Sequence, residues 1–195
     1  MTSRIPQADP AVLAQAQDGD RSAHARLYET FAPMVYTLAR RILASTALAE
    51  DVLQETFVEV LRNVATCRGP LEFGPWVRRI AVNRCLMHLR SPWVARRAST
   101  DPPETATASL DGRAADEQMM LERALAALSV TARAVVWLHD IEGYTHEEIG
   151  RLMGRTPSFS KSQLARAHDR LRELLEGERP EGAKTELCAS ILKIS

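Results

Sequence analysis

Between Phe73 and Thr100 the chain carries six arginines and no acidic residue, and between Asp101 and Glu122 six acidic residues and one arginine. The formal net charge is zero, so the totals conceal a polyanion-binding stretch followed by an acidic one. Arg79, Asn83, Leu86 and Arg90 recur at i, i+4, i+7 and i+11, one stripe if the segment is helical. Arginines on such a stripe neutralise phosphates and release counterions, which is the chemistry of salt-sensitive nucleic-acid binding. Arg78, Arg84, Arg96 and Arg97 add charge around it. Phe73 and Trp76, just ahead of the stripe, are candidates to stack on unpaired bases, worth about 1–3 kcal/mol per base. Core packing is the competing reading for both, more so for Trp76.

Two further constellations stand apart from this one. Thr156-Pro157 opens a segment holding Ser158, Phe159, Lys161, Ser162, Gln163 and Arg166. Arg and Lys contact phosphates or guanine edges, Gln pairs with adenine, and Ser hydrogen-bonds broadly. Glu50, Asp51, Gln54 and Glu55, with Glu59, share the side of a helix opposite Leu53, Phe57, Val60 and Val64. That side is either a solvated acidic face or a docking surface for a basic partner protein.

Catalytic and metal chemistry find no support. His146-Glu147 begins like an HExxH zinc site, but Gly150 occupies the place of the second histidine, and zinc needs two ligands one turn apart. His24, His88, His139 and His168 lack ligand spacing and read as surface or half-buried residues. Cys67, Cys85 and Cys188 are odd in number and form no CxxC pair, which fits a reduced cytoplasmic compartment. The opening MTSRIPQADP lacks the pattern of a secretory signal, and no run approaches the roughly 20 apolar residues that span a bilayer. The expectation is a soluble, cytoplasmic, non-enzymatic protein without metal or cofactor.

Helical periodicity positions these groups. Helices are expected over Ala11–Gln17, from Asp20 toward Pro33, over Met34–Ala44 and over Ala47–Val64. A loop over Ala65–Gly74 and a helix from Pro75 to about Arg90 should follow, with Trp76, Ile80 and Met87 facing inward. Residues Ala95–Ala115 are rich in Pro, Thr and Ser and read as a linker. Beyond it helices are expected over Asp116–Leu128, Thr131–Ile141, Thr145–Met153 and Pro157–Glu176. The last two, joined at Met153-Gly154-Arg155, form a helix-turn-helix whose second helix is offered to the major groove. Ser160, Leu164, Ala167 and Leu171 should pack inward. The fold class is therefore all-α: two small helical domains, 11–94 and 116–177, a flexible linker over 95–115, and a tail over 178–195.

Together these residues resemble the sigma-70 family, in particular the small extracytoplasmic-function (group IV) sigma factors. Resemblance to region 2 rests on Leu27-Tyr28, Val35-Tyr36, Leu38-Ala39-Arg40-Arg41, the run Ala49 to Phe57, and Phe73…Trp76 to Asn83. Resemblance to region 4 rests on Ala124-Leu125, Leu128, Arg133, Glu142 to Thr145, Glu148-Ile149-Gly150, Lys161-Ser162, Leu164, Arg166-Ala167 and Leu171 to Leu175. The resemblance implies that Glu50, Asp51, Gln54 and Glu55 dock on RNA polymerase core (β and β′ subunits). It implies that the Ala65–Gly74 loop, with Phe73, and the following helix, with Trp76, Arg79, Asn83 and Arg90, capture flipped bases of the promoter −10 element. It further implies that Thr156, Ser158, Phe159, Lys161, Ser162, Gln163 and Arg166 read the −35 element, and that an anti-sigma factor or other regulator is a partner.

The sequence departs from that pattern in places. Ser158 to Gln163 replaces a Gly-Thr-Val-Lys-Ser-Arg run, His168 stands for an arginine, and Met87 stands for an aspartate. Weaker or altered −35 binding is expected, with Phe159 rotating the helix to refill the core beside Ser160. A stand-alone helix-turn-helix regulator is the alternative reading, and it leaves the N-terminal half without a role.

Overall fold

The computed structural model describes residues 5–90, 120, 121 and 123–177, and every regular element in them is helical. The chain divides into two compact units between Ser91 and Pro92. The linker expected over 95–115, the tail over 178–195, Arg96, Arg97 and Cys188 lie outside the described residues.

The first unit holds α1 (Pro10–Gln17), α2 (Arg21–Leu43), α3 (Thr46–Asn63), a 3₁₀ turn (Val64–Thr66) and α4 (Pro70–Arg90). Asp9, Asp20 and Ser45 each accept a backbone N–H at the start of α1, α2 and α3, relieving donors that a helix start leaves unpaired. Helices expected on either side of Pro33 are one helix, α2, with Pro33 inside it. An internal proline costs about 3 kcal/mol, but Pro33 faces solvent while Leu27, Phe31, Val35 and Leu38 are buried. Each such side chain contributes about 1.5–3 kcal/mol, so packing outweighs the lost hydrogen bond.

The expected Ala65–Gly74 loop is also mostly ordered helix. It begins in the 3₁₀ turn, and α4 starts at Pro70 instead of Pro75, leaving only Cys67–Gly69 irregular. Gln17 donates its side-chain amide to Val64 O at 3.3 Å and Cys67 O at 3.0 Å, tying the turn to α1. Ile5 and Pro6 lie against the first turns of α4, where a Cβ on Gly74 would come within 2.5 Å of Ile5 Cγ2 and 2.7 Å of Pro6 O. That close approach is open only to glycine.

The second unit holds helical residues 123–126, α5 (Val130–Val136), a π turn (Trp137–Ile141), α6 (His146–Met153) and α7 (Pro157–Gly177). Val135, Leu138, Ile149, Leu164, Ala167, Leu171 and Leu175 form its core. Arg133 is buried with them and donates to Leu125 O and Ala126 O at the end of helix 123–126 and to Leu128 O in the turn that follows. No helix of the described residues is long and apolar enough to cross a membrane.

Candidate nucleic-acid and partner interfaces

Helix α3 presents Glu50, Asp51 and Gln54 to solvent, while Ala49, Val52, Thr56, Phe57 and Val60 are buried. Leu53, expected among the buried residues, is only half-buried. Glu55 is half-buried too, and turns toward α4: its carboxylate lies 3.8 Å from Arg84 Nη1 and 3.3 Å from His88 Nε2. Arg84 also donates to Glu59 through Nε and Nη2. Three of the four acidic-face candidates are thus open, and the fourth ties α3 to α4.

On α4 the residues exposed beyond its first turns (Leu71, Glu72 and Pro75) are Arg79, Asn83, Met87 and Arg90, one stripe along the helix. Two expectations are reversed here. Leu86, placed with the basic stripe, is 2% exposed, and Met87, placed inward, is 56% exposed. Helix α4 packs against both α2 and α3, so its buried arc is wide enough to take in Val82, Cys85 and Leu86, and the outward stripe is narrower and shifted by one residue. Phe73 is a further correction. It is completely buried, edge-on to Phe31 at 5.0 Å between centroids and 5.7 Å from the Trp76 ring. It belongs to the core and offers no face to a base. Trp76 is half-buried beside it.

In the second unit α6 and α7 form the expected helix-turn-helix. Thr145 accepts from the Glu148 backbone N–H, and Glu148 accepts from the Thr145 N–H at 2.8 Å, a reciprocal cap. The Thr145 backbone N–H, with its hydroxyl, holds the Glu148 carboxyl below the usual carboxylate range. The turn ends α6 at Gly154 in the left-handed region (φ 65°). Gly150, which the zinc reading needed to be histidine, lies where a Cβ would meet Arg155 O, Pro157 N and Thr156 C, each at 3.0 Å. Among the described residues no His, Cys, Asp and Glu group is arranged to hold a metal ion.

Helix α7 starts with Thr156 Oγ1 accepting from the Phe159 backbone N–H. Ser158, Lys161, Ser162 and Arg166 are exposed together with Thr156, and Gln163 and Phe159 are half-buried. The Arg155 guanidinium lies 5.7 Å from the centroid of the Phe159 ring. Ser160, Leu164, Ala167 and Leu171 are buried as expected. The helix is therefore not rotated by Phe159: Ser160 keeps the inward position, and its hydroxyl is 3.0 Å from His146 Nδ1. Sequence reasoning also missed Asp140, which lies 2.7 Å from His168 Nε2 and 2.8 Å from His139 Nδ1. Residues 28 positions apart leave no periodic signal; the histidine standing for an arginine was the only hint.

Residues 27–95 match Sigma-70 region 2, and residues 118–171 match Sigma-70, region 4. RNA polymerase sigma factor CarQ of Myxococcus xanthus is 35% identical over 167 residues, covering 84% of this chain and 95% of that protein. The chain belongs to the sigma-70 family. It is an extracytoplasmic-function sigma factor, similar also to SigM of Mycobacterium tuberculosis, 32% identical over 173 residues covering 88% of this chain and 87% of that one. The fold matches CnrH in its complex with the cytosolic domain of CnrY, with a TM-score of 0.50 at 22% identity, over 88% of this chain and 99% of that chain. Sigma factors direct transcription and are not enzymes. The region 2 match accounts for the unit that a stand-alone regulator would leave without a role.

Proposed function

We propose that this sigma factor docks on RNA polymerase core through Glu50, Asp51 and Gln54 and directs it to promoters by two DNA contacts. Arg79, Asn83 and Arg90 of α4, with Trp76 at its edge, engage the −10 element and hold its melted strand. Thr156, Ser158, Phe159, Lys161, Ser162, Gln163 and Arg166 of α7 read the −35 element in the major groove. Glu55 acts from behind, fixing α3 against Arg84 and His88 of α4.

The observation that carries this reading is the separation of charge within one unit: α3 exposes Glu50 and Asp51, and α4 exposes Arg79, Asn83 and Arg90. Acidic and basic faces on neighbouring helices suit a protein partner and a polyanion bound at once. Unstacking a base costs a few kcal/mol, which stacking on an aromatic edge and contacts to flipped bases offset. Family membership is the ground for placing an anti-sigma factor among the partners.

The test is transcription in vitro from fragmented genomic DNA with purified core enzyme. The chain should join core and start transcripts at discrete sites. Charge reversal of Glu50 and Asp51 to Lys should abolish the joining while leaving the helical circular dichroism intact. A chain that neither joins core nor lets it open a duplex overturns the reading.

A further inference from the structure

A closed circuit of side chains leaves α7 at His168 and returns to it at Ser160. His168 Nε2 meets Asp140 Oδ2 at 2.7 Å, and Asp140 Oδ1 meets His139 Nδ1 at 2.8 Å in the π turn. The His139 ring stacks on His146 of α6, with centroids 4.5 Å apart and planes at 18°. His146 Nδ1 then meets Ser160 Oγ at 3.0 Å. The two anchor points on α7 are eight residues apart, about 12 Å along the helix, so together they fix both its tilt and its rotation. We propose that this circuit positions the DNA-reading helix, and that protonation of His146 loosens it, weakening −35 binding below neutral pH. The inference rests on α7 being the helix that enters DNA.

Burial pushes the Asp140 carboxyl up, but the hydrogen bonds from His168 and His139 outweigh it and leave it below its ordinary value. An ionised carboxylate only accepts, so His168 Nε2–H and His139 Nδ1–H both donate to it. The arrangement at that end persists across the neutral range. His146 is the sensitive member. Burial, then the charges of His139 and Lys161, hold its pKa below the ordinary value of 6.5, against the opposite pull of Asp140.

The charged groups acting on it are His139 and Asp140 of the π turn and Lys161 of α7, and Asp140 is already engaged by His168 and His139. A proton on His146 places positive charge against the stacked His139 ring and beside Lys161. A histidine whose pKa is lowered by folding contributes stability that is fully present above 6.5 and is lost as pH falls from there through the lowered value.

The experiment uses the full chain with core polymerase and a duplex enriched by that holoenzyme from a random-sequence pool at pH 8. Between pH 8 and pH 6 the wild type should lose affinity for this duplex by up to about fourfold, the most that a group of ordinary pKa 6.5 can contribute by pH 6. His146→Gln should flatten the difference. Equal pH profiles for wild type and H146Q overturn the proposal. Histidine and amide resonances of the free wild-type chain give a second reading that needs no variant. The Ser160 and Lys161 amides should titrate with the His146 ring, and static amides overturn the coupling. A holoenzyme that enriches no duplex at pH 8 sinks the promoter-binding reading instead, and the resonances still decide whether the circuit moves α7.

Discussion

Met87 puts an unbranched apolar side chain in the middle of the α4 stripe, between Asn83 and Arg90 and 4.0 Å from Arg84 Nη1 through its sulfur. An aspartate there would repel phosphate. Met87→Asp should weaken promoter binding by the holoenzyme at low salt and shrink its salt dependence, measured as the slope of log affinity against log salt; an unchanged slope would show that this stripe does not face DNA. Phe73 calls for the opposite experiment. Phe73→Ala empties a fully buried site and should cost about 3–5 kcal/mol in urea unfolding, with no change in the salt slope. A purified F73A chain of normal stability would mean that the core around Phe31 closes over the gap. Leu86 was misread because, in a helix covered on two sides, a 3.6-residue period marks a face without saying how wide it is; Phe73 was misplaced because the segment before Pro75 was expected to be a loop, whereas α4 starts at Pro70. By contrast, Ser160, Leu164, Ala167 and Leu171 were legible, because α7 buries a single stripe and leaves the rest to solvent.

At the level of elements, the helix-turn-helix could be read directly because its signals are local: a Thr145 cap, a glycine at the end of α6, and Thr156-Pro157 at the start of α7. Boundaries near prolines were the failure. Pro33 and Pro75 each looked like a helix edge, yet both sit inside helices with their rings exposed, where only solvent-facing carbonyls lose a partner. Arg133 is the element-scale support of the second unit. Burial pushes its pKa down to about 10, so it stays charged at neutral pH and serves three carbonyls at once. Arg133→Ala should cost on the order of 3 kcal/mol, through carbonyls left without a donor, read by thermal melting. In the first unit, Gly74→Ala should expel Ile5 and Pro6 from α4, seen as faster cleavage of the N-terminus by a nonspecific protease. An unaltered cleavage rate would mean that the segment shifts without detaching.

The whole molecule carries no net charge, and its attraction to DNA depends on where the charges lie. Tethering two weak contacts on one chain raises the effective concentration of the second, and avidity can exceed either affinity by about 10²–10⁴. A protease site engineered between Ser91 and residue 119, then cut, should therefore abolish promoter opening by the assembled holoenzyme, followed by permanganate reactivity of unpaired thymines. Retained opening would mean that the first unit suffices. The division into two helical bodies was visible in composition alone, since the Pro- and Thr-rich segment separates two stretches of helical periodicity.

The π turn at Trp137–Ile141 has a consequence of its own. It accommodates one residue more than the neighbouring turns of helix, like a shim. Removing a single residue there would let the segment relax to ordinary winding without taking away any buried bulk from α6 or α7. The carboxylate of Asp140 would swing by roughly a hundred degrees, the angle per residue of an α-helix, and face away from His168. A one-codon deletion could thus leave a folded bundle whose reading head is aimed at a different part of the groove.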